Sequence, residues 1–142
     1  MTPGSFSGYL SIAHTDRRKW RVLMDFSYCT DEGRVFTIPA GFIINGTSSP
    51  RILWWLYPPM GGRYDEAAAM HDYLYATAEL HEGNDHGHLS RGEADSVLHE
   101  GMKVKQLRGS AVATIYRVIR ATGWKAWRSH RQRVKKETAM KV

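Results

Sequence analysis

His71-Asp72-Tyr73-Leu74-Tyr75, followed by Ser90-Arg91-Gly92-Glu93-Ala94-Asp95, is the pair of segments from which the rest of the chain is read. A neutral imidazole becomes a useful base when a carboxylate holds one ring nitrogen and leaves the other for substrate. The first segment lies in an alanine-rich run that predicts a helix from about Tyr64 to Leu80. Asp65 and Glu66 fall in its first turn, where acidic groups suit the helix dipole. Tyr64, Ala68, His71 and Tyr75 share one face of it. Ser90 and Glu93 form a capping box, so a second helix starts at Arg91. Its stripe of Arg91, Asp95, Leu98 and Met102 mixes charged and apolar groups, and a buried Asp95 needs a partner. With the two helices antiparallel, Asp95 accepts from His71 and from Tyr75. His71 is then oriented to take a proton from water. Asp72, turned by about 100° from His71, is left to bind a cation that polarises a carbonyl or phosphoryl oxygen. The same residues also read as a buried polar pair that fixes packing and does no chemistry.

Upstream, the first forty residues carry strand signals. Tyr9 to Ala13, Trp20 to Tyr28 and Arg34 to Ile38 are rich in aromatic and branched side chains. Polar turns at Thr15-Asp16-Arg17-Arg18 and Thr30-Asp31-Glu32-Gly33 separate them, which predicts a small antiparallel sheet or a pair of hairpins. Asn45-Gly46-Thr47-Ser48-Ser49-Pro50 is a loop by composition. Ile52 to Leu56 predicts a short helix or buried turn, and Gly61-Gly62 a junction. Downstream, His81 to Leu89 is a polar loop. A third helix from about Ser110 uses Val112, Ile115 and Ile119 and meets Gly123, where it either breaks or continues through Trp124 and Trp127. Residues 135–142 are expected to fray. The fold class is α+β: a small N-terminal antiparallel sheet followed by a three-helix core. All 142 residues suit a single domain, with a β-rich part and loop over 1–50, a helical core over 51–128 and a basic tail over 129–142.

Charge is unevenly spread. Residues 1–100 hold 8 basic and 13 acidic side chains, whereas residues 101–142 hold 12 basic and 1 acidic, within a total of +6. The C-terminal third therefore suits an acidic partner: nucleic acid, anionic lipid or an acidic protein surface. Trp124 and Trp127 lie among Lys125, Arg128, Arg131 and Arg133, a composition for an anionic membrane or a partner protein. A solvated terminal helix is the plainer reading, and no base-reading motif supports nucleic acid. No apolar run is long enough to span a bilayer. Met1 to Leu10 lacks the basic start and apolar stretch of a signal peptide. The lone Cys29 excludes an internal disulfide framework. A reducing compartment, such as a host cytoplasm, or a virus particle assembled in one, is expected.

Two resemblances follow from these residues. His71-Asp72-x-x-Tyr75 on a helix, with Asp95 on the next long helix, resembles the active site of the phospholipase A₂ superfamily. That resemblance implies His71 as general base, Asp72 as calcium ligand, and Tyr75 with Asp95 as the supporting pair. It also implies a phospholipase A₂-like helical core. The remaining calcium ligands would be loop carbonyls at Asn45-Gly46-Thr47 or, second, at Met60-Gly61-Gly62. The cysteines and disulfides of the secreted enzymes are absent. The order Pro39-x-Gly41-Phe42, Asn45-Gly46-x-Ser48-x-Pro50-Arg51, His71-Asp72-x-Leu74-Tyr75, Ser90-Arg91-x-x-Ala94-Asp95, Met102 and Tyr116-x-x-Ile119-Arg120-x-x-Gly123 is similar to a family of unknown function. Tailed bacteriophages and prophages encode it, and the similarity runs from about Phe36 to Trp127. Asn45 stands where that family shows aspartate, and a neutral amide binds a cation more weakly. The loop before Ser90 is also longer than that family's.

Together these imply a phage-encoded protein performing calcium-dependent hydrolysis of phospholipid or another ester during entry or lysis. Its partners would be phage structural proteins or an anionic membrane. The alternative is a non-catalytic tail or neck protein of the virion in which the His-Asp pair is structural. A further alternative is a nucleic-acid-binding or host-defence-blocking protein acting through its basic end. His81, Glu82, Asp85, His86 and His88 crowd one loop without the spacing of an established metal site, so a solvated loop is the simpler reading. Ser48 and Ser49 lack the Gly-x-Ser-x-Gly turn of a nucleophile, and Arg51 suits a salt bridge.

Overall fold

Strands come first and helices after, the α+β class expected, and the β-rich part forms two small antiparallel sheets. The computed structural model describes residues 1–16, 19–45 and 64–141. β1 (Ser5–Phe6), β4 (Phe26–Cys29) and β5 (Val35–Ile38) form one antiparallel sheet in the order β1-β4-β5. β2 (Ile12–Asp16), β3 (Lys19–Val22) and β6 (Ile43–Ile44) form the other, in the order β2-β3-β6. The predicted strand from Trp20 to Tyr28 is therefore broken, and its two halves serve different sheets. Leu23, Met24 and Asp25 are exposed at the break, and Asp25 Oδ1 accepts the Ala40 N–H at 2.8 Å. That bond holds the crossing chain in place. The β4–β5 hairpin turns where predicted, with Gly33 at φ +87°, a region a side chain would strain. Phe36 and Ile38 alternate inward on β5.

Among the described residues four α-helices follow. α1 (Asp65–Thr77) is continued by a 3₁₀ turn (Ala78–Leu80), and α2 spans Arg91–Val104, α3 Gly109–Thr122 and α4 Trp124–Met140. Three helices were expected. The fourth arises because the chain turns at Gly123, and residues 135–140, expected to fray, continue α4. The segments predicted as loop, short helix and junction over 46–63 lie outside the described residues.

α1 is the central element, with Met70, His71, Asp72, Tyr73, Leu74 and Tyr75 all buried. Its small residues admit neighbours closely. A methyl group at Gly101 of α2 would stand 3.1 Å from Ala67 Cβ and 3.1 Å from the Phe6 ring. One face of α1 packs on the strands through Phe26, Tyr28 and Ile38, and the other meets Leu98, Met102, Ile115 and Ile119 of α2 and α3. α2 starts as its capping box predicts, with Ser90 Oγ accepting from Glu93 N–H. The Glu93 carboxylate does not return to Ser90; it accepts from Asn84 N–H at 3.2 Å and so ties down the preceding loop.

Candidate functional site

His71 and Tyr75 are one helical turn apart on α1, and Asp95 stands one turn into α2 opposite them. All three are fully buried. Asp95 Oδ1 lies 2.7 Å from His71 Nε2 and accepts the Tyr75 hydroxyl at 2.6 Å. The other oxygen, Oδ2, accepts from Arg120 Nη1 at 2.7 Å and from Arg91 Nη1 at 3.4 Å. The sequence placed the first two contacts and missed both arginines. Arg91 was legible, since it sits four residues before Asp95 on the same stripe. Arg120, 25 residues further along, gave no local signal.

Electrostatics follow from burial and partners. Burial would push the Asp95 carboxyl up; the hydrogen bond and charge of His71, then the bonds from Tyr75 and Arg120, outweigh it and hold it below its ordinary range. Tyr75 is pushed well up, first by burial and then by its bond to the Asp95 carboxylate. In its neutral form beside an ionised Asp95, His71 would hold its proton on Nε2. Arg91 also donates to the Ile119 and Arg120 carbonyls at 3.3 and 3.1 Å, satisfying the end of α3.

Asp72 is buried as well, and its Oδ2 accepts the Asn45 N–H at 3.3 Å. Asp72 is thus covered, and its carboxylate anchors the residue that follows β6. Gly46 lies outside the described residues, as do Ser48, Ser49, Arg51 and the Met60-Gly61-Gly62 alternative. Among the described residues, no three His, Cys, Asp or Glu side chains are grouped to hold a metal ion. Asp72 and Asn45 nonetheless bear oxygen donors of the kind calcium takes, and backbone carbonyls make up the rest of many calcium sites.

The basic helix is split by facing. Trp124 is 47 % exposed with Lys125 Nζ 5.6 Å from its ring, and Arg128 and Arg133 are exposed. Trp127 and Arg131 do not face outward. The Trp127 ring meets Tyr75 edge-on at 5.1 Å, Arg131 lies 4.4 Å over that ring, and Arg131 Nε is 2.7 Å from Glu79 Oε2. These two side chains dock α4 onto α1, which removes them from the predicted partner surface. Among the described residues, no helix is long and apolar enough to cross a membrane.

In the His81–His88 loop, His86 pairs with Glu82 at 3.5 Å in solvent. His81 is instead half-buried against Phe36 and Tyr73, and burial, then the Arg34 charge, lowers its pKa.

Residues 20–119 match the family described as protein of unknown function (DUF1353). No curated protein and no solved structure matches the chain.

Proposed function

The chain belongs to the DUF1353 family of proteins of unknown function, and from that premise we propose that its buried cluster is the general-base centre of an ester hydrolase. The observation that carries the reading is the sharing of Asp95 Oδ1 by His71 Nε2 and the Tyr75 hydroxyl. A carboxylate so placed fixes the imidazole tautomer and stabilises the imidazolium formed when Nδ1 takes a proton from water. The same nitrogen returns that proton to the leaving alkoxide. Tyr75 and Arg120 keep Asp95 ionised and still through both transfers. Asp72 and Asn45 would hold calcium, which when bound supplies a Lewis acid for the ester carbonyl and the oxyanion.

The likeness to the active-site helices of the phospholipase A₂ superfamily supports a phospholipid or similar ester as substrate. The motif order shared with proteins of tailed phages and prophages supports a phage-encoded role in entry or lysis. The outward Trp124, Lys125, Arg128 and Arg133 suit an anionic membrane or a neighbouring phage protein.

The test is fatty-acid release from phospholipid vesicles, with calcium and with chelator, for the wild type and His71→Ala. Turnover that needs calcium and falls about 10²–10⁴-fold in the variant is expected of a lost general base. Absence of calcium-dependent turnover in folded wild type overturns the hydrolase reading. One observation favours a second reading, in which the protein is a non-catalytic virion component. His71 and Asp95 have no exposed surface, and two arginines converge on one carboxylate oxygen. Such a cluster also serves to lock three helices together. On that reading His71→Ala lowers stability and particle incorporation and there is no hydrolysis to lose.

A further inference from the structure

A cavity of about 450 Å³ opens on the far side of Asp95, between α2, α3 and the β4–β5 hairpin. Its volume falls within the range of small-molecule sites. Its lining is electrically graded along α2. At the N-terminal end stand Arg120 and the positive end of the dipole of a 14-residue helix, whose Glu93 N–H is capped by Ser90 Oγ. A methyl group at Gly92 would lie 3.8 Å from Arg120 Nη1, so the guanidinium sits directly over the first turn. Arg120 and Arg91 both bind Asp95 Oδ2, two positive charges against one negative, which leaves a positive surplus at this end. Arg34, also here, is matched by Glu93 at 3.9 Å.

The opposite end is negative. Glu100, roughly 10 Å further along the helix axis, accepts from the Tyr28 hydroxyl at 3.1 Å and from Asp31 N–H at 3.0 Å, both neutral donors. Among the described residues neither Glu100 nor Glu32 beside it in the lining has an ion pair. Glu100 and Glu32 both line the cavity, and the Asp31 N–H bond to Glu100 brings the turn that carries Glu32 to the Glu100 end. A ligand carrying one charge meets repulsion at one end or the other, whereas a ligand with both charges is complementary along its length.

We propose that this cleft is a second binding site, for a small zwitterion that presents a carboxylate or phosphate to Arg120 and an ammonium to Glu100 and Glu32. An acidic group on Arg120 competes with Asp95 for the guanidinium, so occupancy of the cleft is felt at His71. Binding itself does not depend on His71 performing hydrolysis, and the two readings fail separately.

The probe is 6-aminohexanoate, with a carboxylate and an ammonium at opposite ends of an alkyl chain, compared by calorimetry with hexanoate and hexylamine. Saturable binding about tenfold tighter than either singly charged analogue is expected for one additional charge-assisted contact. Glu100→Gln, whose amide oxygen still accepts from Tyr28 and Asp31, weakens the zwitterion several-fold and leaves hexanoate unchanged; Glu32→Gln does the same. Arg120→Gln abolishes binding, and should that variant not fold, the two glutamine variants decide. The proposal is overturned if hexanoate or hexylamine binds as well as 6-aminohexanoate, if no saturable binding occurs, or if neither glutamine variant weakens it.

Discussion

A carboxylate without exposed surface persists inside a protein only where donors replace its lost water. Asp95 has four: His71, Tyr75, Arg91 and Arg120. Asp95→Asn removes the charge that all four address and is expected to cost about 3–5 kcal/mol, read as a lowered midpoint in denaturant. Tyr75→Phe keeps the ring and loses one bond to a charged acceptor, about 1.5–3 kcal/mol. Sign matters for pH. The Asp95 carboxyl titrates lower in the folded chain than in the unfolded one, so the unfolded state takes up the proton first. Its stabilisation is complete above the unfolded value and is lost as pH falls through the folded one. Asp95→Asn should therefore flatten the acid limb of the stability curve. An unchanged limb would show that Asp95 is not what acid attacks.

At the scale of elements, the turn between α3 and α4 decides what α4 faces. A Cβ at Gly123 would lie 2.6 Å from the Tyr75 hydroxyl and 2.7 Å from the Ile119 carbonyl oxygen. The glycine thus lets the turn close over the site. Gly123→Ala is expected to cost about 1–3 kcal/mol through overpacking and to displace the Tyr75 hydroxyl from Asp95. A wild-type melting temperature in this variant would contradict that close approach. α4 carries its own pH signature. His130, its buried side chain, is pushed down to about 4 by burial first and then by the Arg133 and Arg131 charges. The unfolded histidine titrates near the ordinary value of 6.5. The unfolded state therefore gains the proton first, and stability declines as pH falls from there towards 4. His130→Leu should remove that decline, measured by denaturant midpoints across the interval.

Over the whole molecule, the basic C-terminal third divides into a docked side and an outward side. Docking on an anionic surface, as proposed, predicts that vesicles of anionic phospholipid retain the protein at low salt and release it as salt rises. Screening shortens to about 10 Å at 0.1 M. Lys125→Glu and Arg128→Glu should weaken that retention while leaving the melting temperature near wild type. Arg131→Glu should instead lower the melting temperature, because Arg131 meets Glu79 and Trp127 inside the fold. Equal retention of wild type and the two outward variants would remove the membrane-facing role.

Sequence by itself determined the elements whose cause is local. The β4–β5 hairpin, the start of α2 and the His71–Tyr75 face of α1 follow from turn chemistry, a capping serine and helical periodicity, all within a few residues. It also reached the His71–Asp95–Tyr75 contact, because two stripes each carried a polar group that needed a partner. Only the tertiary structure decided the rest. The Trp20–Tyr28 run keeps strand composition across Leu23-Met24-Asp25, so nothing local marked the crossing between sheets. Composition made Trp127 and Arg131 part of a basic surface, but facing is set by the turn at Gly123. Arg120 reaches Asp95 from a helix that the chain announces, but no neighbouring residue marks which group it meets. Spacing along a chain specifies which groups share a face; which face meets which is fixed by packing between distant segments.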